Sequence, residues 1–314
     1  GTPSLLPPSA VERLIDAALR LFSVDNGVEI TLEANPTDAE MARFSAFRAA
    51  GINRLSLGIQ SYDDSQLSFL GRNHTGMEAR RAADVAADIF QIYTLDFIYA
   101  LPKETALEWE ARLKDILSQE PLHLSLYQLT VEPMTPFAKA VERGVWTPLP
   151  DERSADLYEI TQCLTTEAGC AAYEVSNHAV PGAAAVHNSL YWKGADWIAI
   201  GPGAHGRLSV VGERLAVEGQ ADIRSWLKMP YAERYHTETL EDEDILIELL
   251  AGALRTREGL ALSQLNDSAR QKVEKAVGGI ADSGMIELRG GQLVIPQTHR
   301  LITDYVIGQL VRQL

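Results

Sequence analysis

The stretch Arg54-Leu55-Ser56-Leu57-Gly58-Ile59-Gln60-Ser61 decides the fold. Read as a strand, it places Leu55, Leu57 and Ile59 on one face and Ser56, Gly58 and Gln60 on the other, because successive side chains alternate across the pleat. The run from Glu29 to Asn35 repeats the pattern, with Ile30, Leu32 and Ala34 opposed to Thr31, Glu33 and Asn35. One face is apolar and suited to lie under helices; the other is small or polar. That second face reads either as the lumen of a ligand-holding barrel or as a solvent-facing sheet surface. A parallel sheet flanked by helices rarely exposes a face, which favours the lumen. An ordinary eight-stranded barrel would fill that space with branched apolar side chains instead.

Segments on either side carry the helical period. Ser9-x-x-Glu12 reads as a capping box ahead of Val11, Leu14, Ile15, Ala18, Leu19 and Phe22. Thr37-x-x-Glu40 opens a second helix through Met41, Phe44 and Phe47 that ends at Gly51. A helix from Gly76 to Phe90, a strand from Ile92 to Ala100, a helix from Ala106 to Ser118 and a strand from His123 to Thr130 continue the alternation. Repeated β-α-β units imply a parallel sheet with right-handed crossovers, and closing toward a barrel buries both faces. Leu149-Pro150-Asp151 then opens a helix through Leu157, Ile160 and Leu164, and Tyr173-Glu174-Val175-Ser176 reads as a strand. Gly201-Pro202-Gly203-Ala204-His205-Gly206 reads as a tight turn, since no helix follows it to bind a phosphate.

The tail is different. Ile245, Leu246, Leu249, Leu250 and Ala253 form one helical stripe, a second helix is expected around Leu262 and Leu265, and Val273, Val277 and Ile280 mark a third. Met285 to Leu288, Gly290-Gly291 and Leu293 to Ile295 read as a hairpin before a last helix to Leu314. The expected class is α/β: a partial (β/α) barrel, shortened at its N-terminal side, within residues 1–230, and a winged-helix-like accessory domain at 231–314.

Charge excludes one class of partner. The 314 residues hold 28 Lys and Arg against 43 Asp and Glu, a net charge of -15 that repels phosphate backbones. Residues 241–314 hold eight Lys or Arg against eleven Asp or Glu, so the tail is expected to pack within the protein and not on DNA. No apolar run approaches the ~20 residues that span a bilayer, and the first twenty residues lack a signal-peptide layout. A cytoplasmic location is expected, with peripheral membrane association left open. Cys163 and Cys170 match neither CxxC nor zinc spacing and are expected to be buried reduced thiols.

Six ordered motifs carry a resemblance: Gly1-Thr2-Pro3-Ser4, Leu32-Glu33-Ala34-Asn35-Pro36, Ser56 to Ser61, Leu70-Gly71-Arg72, Leu95-Asp96-Phe97-Ile98-Tyr99-Ala100-Leu101-Pro102 and His123 to Leu129. In this order they resemble the radical SAM proteins related to oxygen-independent coproporphyrinogen III oxidase. The resemblance implies a partial barrel that holds S-adenosylmethionine beside a [4Fe-4S] cluster. It implies that Gly1 and Thr2 bond the methionine amino group, that Glu33, Gln60 and Arg72 contact the amino acid part, that Asp96 meets the ribose hydroxyls and that Thr130 lines the adenosine site. These types suit the task, since carboxylates accept from ammonium and hydroxyl groups and arginine offers a forked donor. Taken singly, Asp96 also reads as a buried carboxylate satisfied by backbone amides, and Arg72 as a surface charge. The family's CxxxCxxC loop belongs upstream of the Gly-Thr-Pro motif, at which this chain begins, so these residues alone are expected to hold no cluster and to leave S-adenosylmethionine uncleaved. Ala100 stands where the family has glycine, which predicts crowding beside the ligand.

Downstream, His187-Asn188-Ser189-Leu190-Tyr191-Trp192 resembles the HNxxYW sequence of the family's heme-chaperone branch. The resemblance implies that His187, Asn188, Tyr191 and Trp192 bind heme, with His187 as a ligand of the heme iron. An imidazole is a common axial ligand and the two aromatics offer flat apolar area. On residue types alone, a backbone-bonded histidine with Tyr191 and Trp192 as core packing is the favoured reading, and the resemblance brings the two level. His205 is a second, weaker candidate. The function implied is heme binding and delivery to client hemoproteins. Oxidative decarboxylation of coproporphyrinogen III and an inactive scaffold remain as alternatives, so whether the chain is an enzyme stays open.

Overall fold

The structure is a computed structural model that describes residues 2–24, 27–280 and 283–314. It divides into two compact units, Gly1–Ala184 and Ala185–Leu314.

The first unit follows the helix and strand alternation. Its elements are α1 (Pro8–Leu21), β1 (Thr31–Ala34), α2 (Asp38–Met41), α3 (Phe44–Ala49), β2 (Arg54–Gln60), α4 (Asp64–Phe69), α5 (Gly76–Ile89) and β3 (Ile92–Tyr99). Then come α6 (Ala106–Leu117), β4 (His123–Gln128), α7 (Pro136–Glu142), α8 (Asp151–Glu167) and β5 (Asn177–Ala179). The sheet order is β1-β2-β3-β4-β5, parallel through β4 with β5 antiparallel. Register puts the apolar residues in rows: Leu32 opposite Leu55, and Leu57 opposite Leu95, itself opposite Leu124. These join Phe44, Phe47, Ile59 and Trp109 in one core of fully buried side chains, each stabilising by about 1.5–3 kcal/mol. The opposite face is polar, with Glu33 paired to Ser56, and Asp96 to Ser125, itself opposite Asn177.

Several local expectations change. Helix α1 begins at Pro8 with no side-chain cap, so Ser9 lies inside it; a proline in the first turn is pre-set for helix and loses no needed donor. The Thr37 hydroxyl does accept from the Glu40 N–H at 3.4 Å, but the Glu40 carboxylate turns to Asn35, and the helix breaks into α2 and α3. Complete capping boxes occur instead at Thr75 with Glu78 and at Thr105 with Glu108. The strand expected over 173–176 forms at β5. Glu174 accepts the Ser176 N–H at 2.9 Å and the Asn177 side-chain amide at 2.6 Å, which folds the preceding residues into bends. Cys170 is buried but Cys163 is exposed, because α8 ends at Glu167 and the chain turns inward at Gly169 (φ 74°) before reaching Cys170.

The second unit comprises α9 (Val186–Trp192), β6 (His205–Val210), β7 (Glu213–Gly219), α10 (Ile223–Lys228), β8 (Tyr235–Thr239), α11 (Asp242–Ala253), β9 (Leu260–Ala261), α12 (Asp267–Ile280), β10 (Glu287–Arg289), β11 (Gln292–Val294) and α13 (Thr303–Val311). Residues 185–230, grouped with the barrel on sequence, belong to this unit. β6, β7 and β8 form an antiparallel meander, and β10, β11 and β9 a second antiparallel sheet that shares a core with α11, α12 and α13. Around Leu262 the structure has a strand residue pair and a short 3-10 turn in place of a helix, because Leu260 pairs with Leu293. Leu250, Leu254, Val273, Leu293, Val306 and Leu310 form its core.

Candidate functional sites

The polar ends of β1, β2 and β3 build a cleft of about 190 Å³ lined by Thr2, Glu33, Asn35, Ser56, Gln60 and Asp96, among others. Strand alternation delivers Glu33, Ser56 and Asp96 to the same face. The Ser56 hydroxyl donates to Asp96 Oδ2 at 3.0 Å, while Asp96 Oδ1 is buried with no hydrogen-bond partner. Burial pushes the Asp96 carboxyl up to about 6, against the lowering effect of the Ser125 and Ser56 hydroxyls. An unmatched buried acceptor is costly, and a ligand hydroxyl or N–H would satisfy it. Two carboxylates, two amides and two hydroxyls make the cleft rich in acceptors, which suits a ligand carrying ammonium or hydroxyl groups.

Glu40 holds this cleft together and was missed on sequence. Buried at 4% exposure, it accepts the Asn35 backbone N–H at 2.8 Å, the Asn35 amide at 3.2 Å and the Ser4 hydroxyl. It thereby ties the 3-10 turn Pro3–Leu5 to the end of β1. Its only sequence signal was a spacing from Thr37 that resembled a cap.

Other expected residues lie elsewhere. Arg72 is exposed in the turn after α4, its N–H bonded to the Leu67 carbonyl at 2.9 Å, and Thr130 is exposed with its hydroxyl on the Gln128 carbonyl at 3.3 Å; neither lines the cleft. Gly1 lies outside the described residues. Ala100 does not line the cleft either: it is buried at φ 58°, so the glycine of the family pattern relates to backbone conformation and not to space for a ligand.

In the second unit, α9 carries His187, Asn188, Tyr191 and Trp192. His187 and Tyr191, one turn apart, meet edge-on with ring centroids 4.6 Å apart, and Tyr191 meets Trp197 at 4.7 Å. His187 is exposed, while Asn188, Tyr191 and Trp192 are half-buried. This is an accessible aromatic cluster, not a sealed core. Beside it lies a cavity of about 390 Å³ lined by Tyr191, Trp192, Trp197, Leu249, Arg214 and Arg255, among others. His205 is exposed on β6, 3.9 Å from the Glu218 carboxylate. Among the described residues, no three His, Cys, Asp or Glu side chains gather to hold a metal ion. Burial pushes the Cys170 thiol up to about 11, which keeps it protonated.

Comparison with known proteins shows the family. The radical SAM superfamily model matches residues 1–116. "Heme chaperone HemW" of Mycobacterium tuberculosis is 34% identical over 316 residues, 99% of this chain and 79% of that protein. The chain belongs to the radical SAM superfamily, among its HemW-like members. The bovine radical SAM relative "Radical S-adenosyl methionine domain-containing protein 1, mitochondrial" is 37% identical over 269 residues, 83% of this chain. The chain spans 61% of that relative's length. The radical SAM enzyme coproporphyrinogen III oxidase (HemN) from Escherichia coli superposes with a TM-score of 0.80 at 19% identity, over 100% of this chain and 76% of its own, which shows a shared fold. No helix among the described residues is long and apolar enough to cross a membrane.

Proposed function

We propose that this chain is a heme-handling protein, binding heme at α9 and passing it to client hemoproteins. The observation that carries the reading is the His187–Tyr191 pair: an exposed imidazole braced edge-on by an aromatic ring at 4.6 Å, beside an aromatic-lined cavity. An exposed imidazole can reach the iron of an incoming porphyrin, and accessibility also allows the cargo to leave. Relatives named as heme chaperones align along nearly the whole chain, α9 included.

The barrel cleft takes S-adenosylmethionine in this reading. Asp96 would accept from the ribose hydroxyls, and its unmatched Oδ1 fits that role; Glu33, Gln60 and Thr2 would face the amino acid part. When bound beside a cluster, this cofactor supplies radical chemistry in the family.

The test is a titration of the chain with hemin followed by absorbance, then addition of an apo-hemoprotein. Saturable binding with a distinct Soret band, followed by transfer of that band to the acceptor, is the expected outcome. A featureless, non-saturating titration would remove the reading.

A further inference from the structure

The cavity beside α9 does more than continue the aromatic surface. Its volume of about 390 Å³ lies in the range of small-molecule sites, and Tyr191, Trp192, Trp197 and Leu249 give it flat apolar walls. Backbone sets part of its form: a Cβ at Gly252 of α11 would lie 3.0 Å from the Trp192 carbonyl oxygen, a tight contact that glycine avoids where α9 and α11 meet.

Two features of the lining call for an acid. Trp192 Nε1 is buried and has no acceptor. An indole nitrogen can only donate, so whatever satisfies it must present an oxygen or a comparable lone pair. The second feature is the unequal tethering of the charged side chains. Arg214 donates to Asp196 at 2.8 Å and to the Ala195 carbonyl at 3.1 Å, and Glu248 is matched by Arg207 at 2.6 Å. Arg255 is paired through its side chain with Asp304, whose own side chain is 75% exposed. Water competes strongly for a carboxylate that open, so Arg255 is the cation most readily given to another acid. Its guanidinium stands 5.9 Å from the Trp192 ring, which places the exchangeable cation and the unmatched donor on the same residue pair.

The geometry points to this cavity as the seat of a planar ligand's carboxylate edge, with Trp192 Nε1 and Arg255 binding the acid and Tyr191 and Trp197 flanking the apolar body. This rests on the heme reading and deepens it: the acid is a heme propionate. The cavity takes one edge of the macrocycle and leaves the iron at the rim, on the His187 side of Tyr191. Recognition then has two separate parts, a metal ligand outside and an acid-binding pair within.

The test compares hemin with hemin dimethyl ester, whose propionates are capped, by absorbance titration of the full chain. Wild type should bind hemin about tenfold more tightly than the ester, the scale of one charge-assisted hydrogen bond. Trp192→Phe and Arg255→Gln should each cut that preference to about threefold or less, with circular dichroism and a thermal melt reporting that each variant is folded. Asp304→Asn, which releases Arg255, should raise the preference for hemin. Equal binding of the two ligands by wild type, or an undiminished preference in both Trp192→Phe and Arg255→Gln, would overturn the propionate assignment and leave the heme reading intact. Failure of wild type to bind either ligand would overturn the heme reading itself and this inference with it.

Discussion

The Glu40 carboxylate accepts the backbone N–H of Asn35 at 2.8 Å from a position almost fully withdrawn from water. The same carboxylate takes the Ser4 hydroxyl, so one side chain fixes two walls of the barrel cleft. Glu40→Ala strands both donors and should destabilise the first unit by about 2–3 kcal/mol, with Glu40→Gln milder because an acceptor oxygen survives. Urea denaturation measures this, and calorimetry should show weaker S-adenosylmethionine binding in both variants. An unchanged midpoint in Glu40→Ala would show that the contacts are dispensable.

Asp96 makes the stability of the fold fall with rising pH. Its folded carboxyl sits near 6 against an ordinary 3.8, chiefly because it is buried, so the folded state binds more protons between those values. Its contribution is fully present below the unfolded value and is lost as pH rises through about 6, a swing on the order of 2–3 kcal/mol. The difference in stability between wild type and Asp96→Asn should therefore change steadily from pH 4 to 6 and level off above 7. A difference that stays constant across that range would rule out a buried titrating carboxyl.

His123 and His178 act in the opposite direction. Burial pushes them down to about 3 and about 4, with the Arg54 charge adding to the effect at His123. Both folded values lie below the ordinary 6.5, so their contribution is present above that pH and lost as pH falls toward the folded values. At pH 5 the loss should be about 2 kcal/mol for each histidine. His123→Gln and His178→Gln should flatten the acid limb of the stability profile. Equal slopes in wild type and both variants would contradict it.

Much of the first unit was legible because its strands are covered on one face by helices, and the period of two in Leu55, Leu57 and Ile59 survives intact in the burial pattern. The meander of β6, β7 and β8 was not. Its residues are largely half-exposed or exposed, so no apolar stripe marks it, and Ala216, Val217 and Leu215 are similar on both faces. Glu40 escaped notice because its partner Ser4 is 36 residues away and local spacing offered a simpler explanation. Glu33 and Gln60 were singled out by strand parity and motif together, Thr2 and Asp96 by motif alone, and all four line the cleft. Arg72 and Thr130 rested on motif position alone, and neither lines that cleft.

Two glycines separate packing from propensity. On α11, a Cβ at Gly252 would meet backbone atoms of Trp192 at 3.0 and 3.3 Å, so Gly252→Ala should force α9 away and destabilise the second unit by about 1–3 kcal/mol. Gly278 on α12 has nothing within 4 Å of its Cβ position, and Gly278→Ala should stabilise by about 0.5–1 kcal/mol. Thermal melts of the two variants should move in opposite directions. A shift of the same sign in both would show that the α9–α11 approach is not tight.

The heme reading is tested most directly by hemin titration of His187→Ala, with His299→Ala as the control, since His299 lies outside the α9 motif, on the 3-10 segment Gln297–Ile302. Loss of one iron ligand should weaken binding by about 1–3 kcal/mol and shift the Soret band, while the control retains both affinity and spectrum. Affinity and spectrum unchanged in His187→Ala would contradict the account and leave His187, Tyr191 and Trp192 as packing alone.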